Sequence, residues 1–341
     1  MNKTNETCLS FKKQINFDGT EDLFIANVLS CVLNLSFSLL TSLGNLLIIY
    51  AIGKTQDLHS ASFILLGCLA ASDLLVGLIC QPLFVALKIA EIKRKNLTAY
   101  CTLRTFVTMF SWLTSAVSLF TLAAVSVDRL LCLHLHLRYN TLITVPRVFK
   151  AVSTLWTFTV ALVTVRFVMG NEWFVITITV FLLSFLLISI STMRVFQIVR
   201  RHQLRIYDQS VAVNHLQLQT NNVNILKCRK SAVTILYIYG LFLIFYLPFF
   251  ISLVIEVLVG YTKSVKVAYT YTATVVFINS FVNPLVYCWR IGEIRRAVKN
   301  ILTREWLNII KLAKLLTTGG TLMIWYCGVQ WEPWSFREVD N

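Results

Sequence analysis

Ser126-Val127-Asp128-Arg129-Leu130 closes an apolar run that begins after Arg104. From Thr105 to Val127 the chain carries no charge. At about 1.5 Å per residue that run is long enough to cross a bilayer as a helix, which needs about 20 residues. Two opposite charges then arrive together, and Cys132, His134, His136 and Arg138 follow into a polar stretch. An arginine at such a boundary can simply snorkel to the headgroups while its neighbour neutralises it, so the pair on its own does not decide the fold.

The rest of the 341 residues supplies the context. The chain is 57% hydrophobic and 14% charged, with mean hydropathy +0.70, well above the roughly 45–50% apolar content of soluble domains. A net charge of +15 raises nucleic acid as a partner, but the basic residues are spread between apolar runs instead of forming one face or tail. No C-x-x-C pair gives metal-ligand spacing, and the nine cysteines are scattered. Cys68, Cys80 and Cys288 fall inside apolar runs, where cysteine usually serves as a small core residue. The polar start predicts no cleavable signal peptide.

Apolar runs cover residues 25–52, 61–87, 105–131, 148–169, 173–199, 232–259 and 267–288. Each reaches spanning length, which predicts an all-α membrane protein: a seven-transmembrane helix bundle. Most Lys and Arg fall on one side of the expected bundle, including Arg129, Arg138, Arg147, Lys150, Arg200, Arg201, Lys227 and Arg290. By the positive-inside rule that side is cytoplasmic and the N-terminus is outside. The cluster Lys93-Arg94-Lys95 is the clear exception. Sequons at Asn2, Asn5 and Asn96 fall outside, where glycosylation occurs, whereas the one at Asn34 lies in the first run and is expected buried and unmodified. The expected division is an extracellular N-terminus (1–24), the seven-helix bundle (25–289), a short amphipathic eighth helix on the inner leaflet (290–304) and a disordered cytoplasmic tail (305–341).

Buried polar groups in spanning helices are costly and therefore mark function. Those found are Asn45, Asp73, Ser118, Asn279, Ser280 and Asn283. Asp73 stands without a basic residue at similar depth, so it must be protonated, paired or bound to a cation. Oxygens of neighbouring Asn and Ser residues could complete a cage for a monovalent ion; the alternative is a hydrogen-bonded polar knot that joins helices. Pro82, Pro248 and Pro284 permit kinks in the second, sixth and seventh helices.

Gly44-Asn45, Leu69-Ala70-Ala71-Ser72-Asp73, Asp128-Arg129-Leu130, Trp156, Phe242 with Tyr246-Leu247-Pro248, and Asn283-Pro284-Leu285-Val286-Tyr287 occur in this order on successive runs. In this the chain resembles the rhodopsin-like (class A) G-protein-coupled receptors, over about residues 25–303. The resemblance implies plasma-membrane residence and a receptor that passes binding of an extracellular ligand to a heterotrimeric G protein. It implies that Arg129 contacts the G protein, that Asp128 holds it when inactive, and that Phe242, Tyr246, Pro248, Asn283, Pro284 and Tyr287 act as activation switches. It also implies an allosteric Na+ site formed by Asp73, Ser118, Asn279, Ser280 and Asn283, and no required cofactor.

The chain departs from the family pattern in places. Leu130 follows the Asp-Arg pair, Tyr246 replaces the common toggle tryptophan, and the fifth helix lacks proline, with Thr192 or a neighbour at the place of its usual tyrosine. No acid lies near Lys227–Ser231 to restrain the sixth helix, so raised basal signalling is expected. The second outer loop is short and has no cysteine for the family's usual bridge; Cys8 with Cys101 is the pair expected in its place. This short loop, the proline-less fifth helix and Leu137-Arg138-Tyr139-Asn140 look like the melanocortin, adenosine, lysophospholipid and cannabinoid receptor branch. Ser111 occupies the position where amine receptors carry an aspartate, which argues against an amine ligand. Lys88, Arg104, Ser111, Trp112, Arg166, Glu172 and Glu256 are the pocket residues expected at the outer ends, with Glu91 beside them, suited to an anionic lipid or an acidic peptide. The alternative there is solvated rim charge and interface-anchoring aromatics. A transporter would show internal repeats or a charged path, and an enzyme a G-x-S-x-G, H-E-x-x-H or P-loop run; neither is found. The remaining rival is a receptor-like protein with weakened or constitutive signalling.

Overall fold

The computed structural model describes residues 21–93, 97–135, 138–165, 172–212, 219–260 and 262–304. Within these, nothing is assigned to the side chains of 97–98, 140, 172–178, 199, 202–212, 219–236 and 257. No strand occurs among the described residues. The long helices are α1 (Glu21–Lys54), α2 (Ala61–Lys93), α3 (Leu97–Leu135), α4 (Val145–Thr164), α5 (Glu172–Ala212), α6 (Gln219–Val259) and α7 (Lys263–Arg290). A 3-10 turn, Gln56–Leu58, joins α1 to α2, and a one-turn helix, Tyr139–Leu142, stands between α3 and α4. Six of the seven contain a stretch long and apolar enough to cross a membrane. The exception is α4, whose first turns carry Arg147 and Lys150 and whose described part ends at Thr164.

The burial pattern is inverted relative to a water-soluble helix bundle. On α1 the side chains of Leu35, Leu39, Leu43 and Leu46 are exposed, while Asn27, Ser30, Asn34, Ser38, Thr41 and Asn45 are buried at three- and four-residue spacing. An exposed leucine stripe is costly in water and comfortable against lipid, where backbone polar groups must be satisfied within helices. The polar stripe faces α2 and α7. There Asn34 Nδ2 donates to Thr274 Oγ1 at 3.0 Å and Thr274 Oγ1 donates to Ser30 Oγ at 3.1 Å. Asn45 Nδ2 donates to the Ser280 carbonyl at 3.0 Å. Apolar burial drives little association between helices in lipid, so such bonds and close packing hold the bundle.

α3 is the central post, packed against α2, α4, α5 and α6. Trp156 on α4 donates its indole N–H to Cys68 Sγ on α2 at 3.1 Å. Near the Arg129 end, Ala61, Leu65, Val125 and Val148 form one apolar cluster. At the opposite end Val76, Cys80, Phe84, Leu87, Tyr100, Val107 and Phe277 form another.

α2 is not a regular α-helix throughout: Val76–Cys80 forms a π-helical turn immediately before Pro82. In a π pattern the carbonyl of Gly77 looks for the amide five residues on, and that residue is Pro82, which has no N–H. Ser38 on α1 fills the vacancy, its hydroxyl donating to the Gly77 carbonyl at 2.7 Å. The two helices touch so closely here that a Cβ on Gly77 would lie 2.6 Å from Ser42 Oγ and 2.9 Å from the Ser42 amide nitrogen. The sequence suggested a proline kink; the structure adds a widened turn and a donor from a neighbouring helix.

Chain contacts divide the protein into two units, residues 1–295 and 296–341. The bundle lies in the first. After Ile291 leaves helical geometry, residues 292–304 are helical, α8. In the second unit the described residues 296–304 are helical, with Arg296 and Lys299 exposed and Leu302 half exposed. The tail expected at 305–341 lies outside the described residues.

Candidate functional sites in the bundle

At the Arg129 end, Arg129 Nη2 lies 3.1 Å from Asp128 Oδ2. Asp128 is held from two further directions. Ser62 Oγ on α2 donates to Oδ2 at 3.0 Å, and the Tyr139 hydroxyl, from the one-turn helix, donates to Oδ1 at 2.5 Å. Burial, and then the charge of Asp128, push the Tyr139 phenol up to about 12, so it stays a donor. Arg129 is itself buried, and its Nε has no hydrogen-bond partner. A buried guanidinium nitrogen without an acceptor is costly, and this one becomes satisfied only if the side chain moves or an acceptor enters. Neither Ser62 nor Tyr139 was assigned to this site from the sequence; only a fold could bring the loop tyrosine and a second helix onto Asp128.

Tyr287 on α7 is wholly buried and its hydroxyl is unpartnered. On α5, Thr192 is buried with Oγ1 also unpartnered. The side chains of Lys227–Ser231 lie outside the described residues.

Halfway along the bundle Asp73 is fully buried. Its Oδ2 accepts from Asn283 Nδ2 at 2.7 Å, joining α2 to α7. Its Oδ1 has no partner, nor do the buried Oδ1 atoms of Asn45 and Asn279. Ser118 is also buried, but its hydroxyl pairs with Ser72 Oγ at 3.0 Å. Asn45 meets the backbone of Ser280 rather than its hydroxyl. Of the residues expected from sequence, Asp73 and Asn283 are bonded to each other, Ser118 pairs with Ser72 instead, and three buried carbonyl or carboxylate oxygens, on Asp73, Asn45 and Asn279, are left open.

Between these residues and the far end lies an aromatic stack. Phe242 and Tyr246 on α6 lie face to face, ring centroids 4.0 Å apart and planes 14° from parallel. Phe185 on α5 meets Phe242 at 5.7 Å and Phe250 at 5.6 Å. Trp112 on α3 and Phe250 both pack on Phe181. The Tyr246 hydroxyl reaches Ser115 Oγ at 3.5 Å, a long bond. Pro248 lies inside α6 and Pro284 inside α7, as their positions in the chain imply.

At the Lys88 end two of the charged side chains are withdrawn from solvent. Lys88 and Glu91 are buried, with Lys88 Nζ 3.1 Å from Glu91 Oε2 and also donating to Thr270 Oγ1 at 3.1 Å. Tyr100 donates to Glu91 Oε1 at 2.9 Å, and buried Lys266 on α7 lies 4.0 Å from the same oxygen. Tyr100 and Lys266 were not singled out from the sequence, because neither spacing nor periodicity on its own run points to Glu91. Arg104, Ser111, Trp112 and Glu256 are partly buried. Arg166 and the side chain of Glu172 lie outside the described residues, as do Asn2, Asn5 and Asn96.

Cys31, Cys68, Cys80 and Cys288 are free. Cys101 is disulfide-bonded; Cys8, expected as its partner, lies outside the described residues. Cys132, three residues after Arg129, is disulfide-bonded as well, a bond the sequence did not suggest. Asn34 is fully buried and bonded, so its sequon is out of reach of modification.

The geometry of an inverted helix bundle, a buried Asp128–Arg129 pair at one end and an Asp73–Asn283 bond at its centre has a counterpart among known proteins. The family model described as 7 transmembrane receptor (rhodopsin family) matches residues 44–174 and 172–287. Those residues make up most of the chain and contain both the pair and the central bond, so this multi-pass membrane protein belongs to the rhodopsin family of seven-transmembrane receptors, which are receptors and not enzymes.

Proposed function

We propose that this receptor passes the binding of an extracellular, non-amine ligand to a heterotrimeric G protein at the Arg129 end, from a plasma membrane in which the N-terminus is outside. The observation that carries the reading is the state of Arg129. It is held by one carboxylate of its own helix, itself clamped by Ser62 and Tyr139, while its Nε is buried without an acceptor. Such an arginine is poised: a modest rearrangement that breaks one ion pair frees a group able to make charge-assisted bonds to a partner backbone.

The path between the ends runs through α6 and α7. The stacked Phe242–Tyr246 pair and Pro248 allow α6 to bend, and the Asn283–Asp73 bond with Pro284 lets α7 register a change at the Lys88 end. The centre of the bundle fits a monovalent cation: Asp73 Oδ1, Asn45 Oδ1 and Asn279 Oδ1 are buried acceptors lacking donors, the chemistry a hard cation satisfies. Bound Na+ would supply a counter-charge for Asp73 and tie α2 to α7. The charge bias of Lys and Arg and the Asn2, Asn5 and Asn96 sequons support the orientation.

Nucleotide exchange on purified G proteins, with receptor in lipid nanodiscs, tests the reading. Wild type is expected to accelerate exchange, basally or with ligand, and Arg129→Ala to lose that acceleration. Equal rates for both proteins across several G-protein classes would overturn it.

A further inference from the structure

Lys88, Glu91 and Lys266 place two buried ammonium groups against one carboxylate, where α2 ends and α7 begins. A buried carboxylate with so many donors is ordinarily read as a structural lock. The helix ends argue otherwise. Glu91 sits in the last turn of α2, which ends at Lys93, where the helix presents its negative pole and disfavours a carboxylate. Lys266 sits near the first turn of α7, whose amino end favours an anion. Glu91 is therefore held against the field of its own helix end by the two ammonium groups, which an incoming anion could also meet from the side of the α7 amino end, where the field favours it.

We infer that Glu91 is an internal stand-in for the ligand: a carboxylate or phosphate on an extracellular ligand with an apolar body displaces it and binds between Lys88 and Lys266. The inference deepens the receptor reading above and rests on it for the outward orientation of this end. The apolar body is argued from the surroundings. Lys88 Nζ lies 5.1 Å from the Phe84 ring centroid, and Phe84, Leu87, Tyr100, Val107 and Phe277 form one apolar cluster beneath it. A small hydrated anion would have to shed its water there without replacement, while an apolar body supplies contacts. Displacement has a route to the rest of the bundle. Lys88 bonds Thr270 on α7, one turn before Thr274, which is bonded to Ser30 and Asn34 of α1; the same helix later carries Asn283, the partner of Asp73.

The test measures the melting temperature of purified receptor in phosphatidylcholine nanodiscs, without G protein, at matched ionic strength. The probes are 4-phenylbutyrate, phenyl phosphate and, as the uncharged control, 4-phenylbutan-1-ol. Both anions are expected to raise the melting temperature by about 2–4 °C, the larger shift telling carboxylate from phosphate, and the alcohol to leave it unchanged. Lys88→Gln should abolish the shift and Lys88→Arg keep it. Glu91→Gln, which removes the competitor, should bind the anions severalfold more tightly than wild type. Tyr100→Phe, which removes one donor from Glu91, should move affinity the same way and serves if Glu91→Gln does not fold. A structural lock predicts the opposite: no gain of affinity from either variant. That result, or an equal shift from the alcohol, overturns the inference. Because no G protein is present, anion binding without nucleotide exchange would count against the receptor reading alone, and exchange without anion binding against the site alone.

Discussion

Tyr139 reaches back from the short helix beyond α3 to donate a 2.5 Å hydrogen bond to Asp128, the residue that holds Arg129. A loop residue thereby reinforces a pair that lies entirely within one helix. Tyr139→Phe removes a charge-assisted bond worth about 1.5–3 kcal/mol. Basal nucleotide exchange is expected to rise severalfold, with Ser62→Ala giving a smaller rise; unchanged basal rates in both would show that Asp128 needs neither. Because the phenol is raised to about 12 from an ordinary value near 10, it stays protonated in the folded receptor. Its stabilising contribution is complete below about pH 10 and declines from there toward 12 as the unfolded chain ionises first. Melting temperatures of wild type and Tyr139→Phe should accordingly converge across that interval.

Ser38 supplies the proton that Pro82 cannot. Ser38→Ala leaves the Gly77 carbonyl buried without a donor, at a cost of about 1–3 kcal/mol, and a lower melting temperature is expected. Gly77→Ala should be worse, since the added Cβ would strike the backbone of Ser42 as well as its hydroxyl. If Gly77→Ala melts like wild type, the close approach of α1 and α2 is wrong.

Sodium chloride in place of choline chloride is expected to raise the melting temperature of wild type by a few degrees, roughly the size of a ligand held well above its dissociation constant. Asp73→Asn keeps the shape of the side chain and loses its charge, and should lose the sodium effect. A sodium shift that persists in Asp73→Asn would place the ion elsewhere.

The stacked Phe242 and Tyr246 rings make unequal predictions. Phe242→Ala removes a buried ring that also meets Phe185, so about 3–5 kcal/mol of stability and most ligand-stimulated exchange should go with it. Tyr246→Phe gives up only a 3.5 Å bond to Ser115 and keeps the stack; exchange should stay within about twofold of wild type, because a bond that long contributes little. A loss in Tyr246→Phe as deep as in Phe242→Ala would assign the switch to the hydroxyl and not to the ring.

Much of the bundle was legible in the chain because the bilayer imposes a length and a polarity rule that act residue by residue. The apolar runs, the prolines of α6 and α7, and buried Asp73 with Asn283 follow from that rule. Among the described residues α4 falls short of a spanning stretch for the same reason, since Arg147 and Lys150 enter its first turns. The π turn before Pro82 was not legible, because a proline signals a missing donor but not where its carbonyl finds another.

Order along the chain thus settled that the protein crosses a membrane as helices and which polar residues must be kept from lipid. Which of those residues meet was decided by packing alone. Ser62 on Asp128, or Lys266 on Glu91, are encounters between segments far apart in sequence, and hydrogen bonds between helices depend on rotation and depth that hydrophobic periodicity leaves free.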